Sequence, residues 1–176
     1  MALFGRKETP APTPAPAPVA ELTGEARKQM HLERIVEYVK SQNWNYSVDG
    51  NRVIFNMGIK SKLSSVRNLV IAGEKEIQCF AACPIKAKPE DYAKVVEFIT
   101  RANYGLKNGN FDFDYRDGEV RYHTCLRSTD GMPSLREIEF IVDIPMLMMQ
   151  RYGDGLAKNL MGFGDPEKDI AEIENQ

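Results

Sequence analysis

The sequence has few cysteines, no long apolar run and no excess of either charge. It contains three cysteines in 176 residues, and an odd number in a short chain argues against a disulfide framework. The first residues, Met1 to Lys7, lack the pattern of a secretory signal peptide. No run approaches the roughly 18 apolar residues that span a bilayer. We therefore expect a cytoplasmic protein that does not enter a membrane.

The charges of the chain are nearly balanced. It has 23 lysines and arginines against 25 aspartates and glutamates, which gives a net charge of −2 at pH 7. The segment from Asp165 to Gln176 is acidic, so the remainder of the chain is close to neutral. A protein without a strongly basic surface has no long-range attraction to polyanions. We expect no nucleic-acid partner and no membrane partner.

Motifs that carry catalysis or hold a metal are also missing. The sequence has no phosphate-cradling Gly-x4-Gly-Lys loop, no Gly-x-Ser-x-Gly turn and no His-Glu-x-x-His pair. Cys79 and Cys83 would lie about 13 Å apart on one extended strand, whereas structural zinc needs paired ligands on a tight knuckle. His123 and Cys125 alone do not complete a site. We expect no catalytic residue, no metal and no cofactor, and interpret the protein as a non-enzyme.

The residues that are present divide the chain into three parts. Half of its ten prolines fall between residues 10 and 18, and proline at every second position prevents regular backbone hydrogen bonding. We expect residues 1–20 to form a disordered Pro/Ala-rich arm and residues 21–164 to form a single domain. Residues 165–176 are expected to form a short acidic helix or tail.

Apolar periodicity predicts the elements of the domain. Helical spacing predicts three helices, which begin near Glu25, Lys88 and Ser134. Alternation of apolar and polar residues predicts strands between the helices. The two strands predicted at residues 65–72 and 76–83 are apolar on both faces, as in a sheet covered on both sides. The pattern indicates an α+β fold with a mainly antiparallel sheet of about five to six strands packed with three helices.

Pro145 lies inside the third predicted helix. An interior proline removes one backbone hydrogen bond and costs on the order of 3 kcal/mol. We therefore expect the helix to kink or restart near Val142 and to end at Gly153 and Gly155.

The first predicted hairpin has two possible registers. A turn at Gly50-Asn51 pairs Tyr46 with Phe55 and brings Asp49 opposite Arg52. A turn at Asp49-Gly50 keeps the same apolar face but loses that charge pair. The first register is weakly favoured.

The last predicted hairpin carries a strong turn signal. Asp117-Gly118 is a common two-residue hairpin turn. A turn at that point pairs Phe113 with Tyr122 and places an aromatic face on one side of the hairpin.

Two groups of residues are candidate binding sites. Flexible thioethers adapt to irregular partners, although core filling is the alternative role for the same side chains. The candidate partner-binding residues on the third helix are Met146, Met148, Met149 and Tyr152. The candidate residues for a ligand pocket between the sheet and the helices are Trp44, Phe55 and Phe113.

Two segments resemble a known family. They are TRANYGLKNGNFDFDYRDGEVRY at residues 100–122, most specific from Asn103 onward, and MLMMQRY at residues 146–152. These segments resemble the YbjN family of bacterial proteins, often described as sensory transduction regulators. The order of helices and strands is similar to the fold of type III secretion chaperones, small α+β proteins that commonly form homodimers and bind extended segments of other proteins.

The resemblance implies a bacterial cytoplasmic protein, expected to be a homodimer, that binds another protein or peptide. It brings no catalytic residues. We expect a non-enzymatic regulatory or chaperone-like protein-binding module, with a role in signalling or stress response. The alternative is a small-molecule sensor domain with a pocket between the sheet and the helices.

Overall fold

A six-stranded antiparallel sheet with helices packed on one face makes up the described part of the protein. The computed structural model describes residues 23–128 and 131–175. The predicted α+β fold is confirmed, and the described residues contain four helices rather than three. The predicted arm, residues 1–20, lies outside the described residues. Within the described ranges, no helix is both long and apolar enough to cross a membrane.

The chain alternates between the helical layer and the sheet. The helices are α1 (Gly24–Ser41), α2 (Tyr92–Gly105), α3 (Leu135–Leu160) and α4 (Pro166–Glu174), with a 3-10 turn at Pro89–Asp91 before α2. The strands are β1 (Tyr46–Asp49), β2 (Arg52–Gly58), β3 (Ser65–Ala72), β4 (Glu76–Ala82), β5 (Asn110–Asp114) and β6 (Glu119–Arg127). Their spatial order is β1-β2-β3-β4-β6-β5, so β6 lies inside the sheet and β5 forms an edge.

The β1–β2 hairpin has the favoured register. Tyr46 lies opposite Phe55, and Asp49 lies opposite Arg52. Gly50 adopts a φ of 56° in the turn, a conformation that costs glycine little. The predicted register is therefore confirmed.

The β5–β6 hairpin has a different register from the predicted one. Phe113 lies opposite Val120 rather than Tyr122, and Asp112 lies opposite Arg121. The predicted two-residue turn was wrong, because Phe113 pairs with a residue two positions earlier in β6 than predicted. A shift of two preserves the face on which every side chain lies.

The side chain of Asp114 explains this register. Its carboxylate accepts a hydrogen bond from the Arg116 backbone N–H at 2.9 Å, and its carbonyl accepts one from the Gly118 N–H at 2.8 Å. An aspartate that bonds the backbone two residues later starts a turn at its own position. The strand therefore ends at Asp114, before the Asp-Gly pair is reached.

Helix α3 continues through Pro145 without a restart. Proline has no N–H, so the carbonyl of Ile141 loses its helical donor. The hydroxyl of Thr124, on β6 beneath the helix, donates to that carbonyl at 2.6 Å. The sheet therefore supplies the hydrogen bond that the helix lacks at this point.

Gly153 and Gly155 lie within α3 and do not end it, so the predicted end was wrong. A Cβ at Gly153 would lie 2.5 Å from the Ser61 hydroxyl oxygen, and one at Gly155 would lie 2.9 Å from the Phe98 ring. Both glycines allow close approach of neighbouring chain segments. The tight packing offsets the intrinsic helix cost of about 1 kcal/mol for each glycine.

The core between the sheet and the helices has two clusters. The first lies under α1 and the N-terminal half of α3, where Ile35 is buried. The second lies under α2, α4 and the C-terminal half of α3, where Phe98 is buried. On β3 the fully buried Asn68 lies between Val66 of the second cluster and Val70 of the first, and neither amide atom has a hydrogen-bond partner in the described chain.

The acidic C-terminal segment forms α4 and packs on α2 and α3. Asp169 is buried in this contact and accepts hydrogen bonds from Lys158 Nζ at 2.7 Å and from Asn159 Nδ2 at 2.9 Å. It also accepts one from the backbone N–H of Asp165 at 3.0 Å. This segment is therefore part of the same packed unit as the rest of the described domain.

The sheet is covered on one face only within the described residues, which corrects the expectation of two covered faces. On β3 the buried positions alternate with Arg67, Leu69 and Ile71, which point away from the helices. The central strands therefore present apolar side chains on a face without helices.

We predict that Thr124→Val destabilises the protein by about 1–3 kcal/mol, because the Ile141 carbonyl would be buried without a donor. Pro145→Ala restores a backbone N–H that can donate to the same carbonyl. In the Pro145→Ala background, Thr124→Val should therefore cost at least about 0.5 kcal/mol less. Urea unfolding of the four proteins, followed by circular dichroism, measures this coupling. Equal costs in both backgrounds would contradict it.

We predict that Asp169→Ala destabilises the protein by about 3 kcal/mol, because it leaves Lys158 and Asn159 without their shared acceptor. Glu172→Ala is the matched control, since Glu172 also approaches Lys158, at 3.5 Å, but is mostly exposed. The control should cost less than about 1 kcal/mol. Thermal unfolding of both variants gives the comparison, and similar losses would show that the buried hydrogen bonds do not fix α4.

Candidate functional site

The outer face of α3 carries an exposed apolar stripe. Phe140 is 48% exposed and Leu147 is 51% exposed, and Ile144 between them is partly buried. Residues four and three apart share one face of a helix. We call these three residues the α3 stripe. The i, i+4, i+7 spacing of the stripe is visible in the sequence. The predicted binding residues, Met146, Met148, Met149 and Tyr152, lie elsewhere around the same helix.

The predicted partner-binding residues are divided between the core and its margin. Met149 has no exposed surface and Tyr152 is 2% exposed. Tyr152 also packs edge-on against Phe111, with ring centroids 5.6 Å apart. A partner cannot reach these two residues in the folded protein, which corrects their assignment to a surface. Met146 and Met148 are partly buried at the two margins of the outer face.

The predicted pocket residues do not meet. Trp44 stacks on Phe55 with ring centroids 5.1 Å apart, beneath α1 in the first cluster. Phe113 instead packs against Tyr92 at 4.9 Å. It lies on β5, four strand spacings from β2, which corresponds to roughly 19 Å. The three aromatic residues therefore do not line a common pocket.

A groove of about 250 Å³ lies on the open face of the sheet. Its floor is formed by Ile54, Leu69 and Phe80, which are direct neighbours across β2, β3 and β4. The remaining lining residues are Arg52, Arg67, Ala82, Glu119 and Arg121. We call this feature the open-face groove.

Phe80 is fixed within the groove by two neighbours. The guanidinium carbon of Arg121 lies 4.3 Å from the Phe80 ring centroid, and the His123 ring stacks on Phe80 at 4.5 Å with an interplanar angle of 16°. Burial lowers the pKa of His123 below its usual value, so the imidazole is mainly neutral at pH 7. Arg121 is oriented by Asp112, with 3.2 Å between Nε and a carboxylate oxygen.

The two other arginines of the groove have no partner among the described residues. Arg52 and Arg67 form no hydrogen bond or ion pair with the described part of the chain. The carboxylate of Glu119 also lines the groove. The lining therefore holds three guanidinium groups and one carboxylate, and one of the three, that of Arg121, is already paired with Asp112.

The thiols of the protein are protonated at neutral pH. Burial raises the pKa of Cys79 and raises that of Cys83 to about 11. Burial and the nearby Glu76 carboxylate raise the pKa of Cys125. Among the described residues, no group of three or more His, Cys, Asp or Glu side chains is placed to hold a metal ion.

We predict that Met149→Gln destabilises the protein by about 3 kcal/mol, because it removes buried apolar surface and buries an amide. Met148→Gln, the neighbouring and partly exposed thioether, should cost about 1 kcal/mol or less. Chemical unfolding of the two variants tests the difference. Equal stability losses would contradict the placement of Met149 in the core and Met148 at its margin.

Comparison with known proteins gives a family match. A family model described as "Putative bacterial sensory transduction regulator", YbjN, matches residues 31–158. No curated protein matches the sequence. A crystal structure described as "YbjN, a putative transcription regulator from E. coli" is similar with a TM-score of 0.48 and 9% sequence identity, covering 69% of this chain and 93% of that chain. Because the family model spans more than half of the sequence, the chain belongs to the YbjN family.

Proposed function

We propose that the protein is a non-enzymatic regulatory module of the bacterial cytoplasm that acts by binding another protein through the α3 stripe. The family description supports a role in regulation. The observation that carries the binding proposal is the pair of large apolar side chains, Phe140 and Leu147, each about half exposed on the longest helix of the described chain. A role in signalling or stress response is part of this proposal.

The stripe has the composition of an interface centre with a polar margin. Aromatic residues and arginine are enriched in protein interfaces. Phe140, Ile144 and Leu147 supply the apolar centre, and the exposed Arg136 and Arg151 flank them on the same side of α3. A partner that covers the apolar residues would therefore find charged groups at the edge.

Met146 and Met148 can adapt the margins of this surface to a partner. Each is partly buried, so part of its thioether remains available at the edge of the helix. Unbranched thioethers change conformation at low cost. Their role in this proposal is to adjust the shape of the margins, while Phe140 and Leu147 provide the apolar anchors.

A second copy of the chain is one partner that fits the proposal. A two-fold axis passing near Ile144 would bring the stripe of each copy onto the other, and isologous contacts of this kind are common in homodimers. The proposed homodimer would bury Phe140 and Leu147. A chaperone-like module would instead use the same stripe for a different protein or peptide.

A sensor function with a pocket between the sheet and the helices has less support. Trp44 and Phe55 are in one cluster, and Phe113 is at the far edge of the sheet. The geometry of the described residues favours protein binding through α3 over that alternative.

We predict that the double substitution Phe140→Ser and Leu147→Ser abolishes protein association without unfolding the chain. The matched control is Met161→Gln with Phe163→Ser, which removes two exposed apolar side chains after the end of α3. Sedimentation measures self-association of all three proteins. Cross-linking in living cells, followed by mass spectrometry, measures binding to other proteins.

Loss of a dimer or of a specific cross-linked protein in the stripe variant alone would support the proposal. Phe140 and Leu147 are each about half exposed and lie outside the two core clusters, so the circular dichroism spectrum should remain unchanged. If both variants associate as the natural protein does, the α3 stripe is not the interface.

A further inference from the structure

We infer that the open-face groove is a binding site for an amphipathic organic acid, with its apolar body on the Ile54–Leu69–Phe80 floor and its carboxylate at the arginines. This site is separate from the α3 stripe and goes beyond the proposed protein-binding function. It uses the face of the sheet that carries no helix in the described chain.

The floor is apolar where a solvated sheet face is normally polar. Antiparallel sheets with one exposed face usually alternate apolar residues toward the core with polar residues toward water. Here Ile54, Leu69 and Phe80 form a continuous row on the exposed side of three central strands. The row runs across the strands and gives an elongated apolar body a surface to lie on.

The ring at the end of this row is already ordered. Phe80 is only 8% exposed although it points away from the helices, because Arg121 and His123 pack against it. A floor residue that is fixed before binding reduces the conformational entropy that is lost when a ligand binds. The ordered ring also places the Arg121 guanidinium beside the floor.

Two arginines flank a small residue at one side of the floor. Arg67, Ala82 and Arg121 are direct neighbours across β3, β4 and β6, so the two arginine Cα atoms are separated by two strand spacings, about 10 Å. The methyl group of Ala82 leaves room between the two longer side chains. A carboxylate in that room can approach Arg67 on one side and Arg121, which also pairs with Asp112, on the other. Guanidinium groups form strong hydrogen bonds with carboxylates.

The charge of the groove complements an anion. Within residues 23–128 and 131–175, Arg67 has no ion-pair or hydrogen-bond partner, and neither has Arg52 at the other side of the floor. Glu119 in the lining and Asp112, which pairs with Arg121, are the opposing charges and should weaken the binding of an acid. The whole chain has a net charge of −2, so the positive charge of the groove is local.

The size of the groove limits the ligand. Its volume of about 250 Å³ is below the range of about 300–1,000 Å³ for pockets that bind drug-sized molecules. A single aromatic acid or a medium-chain fatty acid matches this volume. The shared chemistry of these two ligand types is an apolar body with one carboxylate.

Titration of the full chain with octanoate, followed by ¹H–¹⁵N NMR, tests the site. Octanol has the same apolar body without the charge, and acetate has the charge without the body. We expect octanoate to shift amide signals of β2, β3, β4 and β6 in a saturable manner. Octanol and acetate should each bind at least about tenfold more weakly, because each lacks one of the two interactions.

Substitutions in the lining separate the contributions to binding. Arg67→Gln should weaken octanoate binding about tenfold, and Glu119→Gln should strengthen it several-fold. Arg101→Gln is the matched control, because it removes one arginine from the exposed side of α2. The Phe140→Ser and Leu147→Ser variant should bind octanoate normally, so failure at one surface is distinguishable from failure at the other.

Three results would overturn the inference. The first is the absence of saturable shifts with octanoate up to a concentration of about 10 mM, a Kd limit typical of weak ligands. The second is equal binding of octanoate by the Arg67→Gln and Arg101→Gln variants. The third is a set of saturable octanoate shifts confined to residues outside β2, β3, β4 and β6, which would place the bound acid elsewhere on the chain.

Discussion

The hydrogen bond from Thr124 to the Ile141 carbonyl holds the longest helix on the sheet at the point where Pro145 removes a donor. The N-terminal half of α3 packs in the first core cluster, and its C-terminal half packs in the second. A break at Pro145 would separate these two halves. The continuous helix instead connects both clusters. Between them on β3 lies Asn68, whose amide has no hydrogen-bond partner among the described residues. The fold thus depends on a side chain of the sheet that completes the backbone bonding of a helix.

The two proposed binding surfaces lie on opposite sides of the molecule and share strand β6. His123 points to the open face and stacks on Phe80, whereas its neighbour Thr124 points to the covered face and bonds α3. Successive residues of a strand point to opposite faces. The strand that forms one end of the open-face groove therefore also supports the helix that carries the α3 stripe. A rotation of β6 would therefore move residues at both the open-face groove and the contact with α3.

Local patterns in the sequence predicted much of the fold, because they depend on neighbouring residues. The α+β class and the register of Tyr46 with Phe55 follow from periodicity and a charge pair at the turn. The β5–β6 register was missed because Asp114 starts a local turn with the Arg116 backbone N–H, and the other errors arose where distant groups act. The course of α3 through Pro145 depends on Thr124, a residue 21 positions earlier. The burial of Met149 and the open-face groove depend on which side of the sheet the helices occupy, and periodicity does not specify that side when both faces of a strand are apolar.

The chain contains a single tryptophan, and its position makes the intrinsic fluorescence a local signal. Trp44 stacks on Phe55 and packs edge-on against Tyr38 in the cluster beneath α1, away from the cluster that includes α2 and α4. Indole emission therefore reports on the environment of one half of the core. If the halves loosen at different temperatures, fluorescence and far-ultraviolet dichroism will give different midpoints, because the latter averages over the whole backbone. The natural sequence thus carries its own probe of cooperativity between the two parts of its interior.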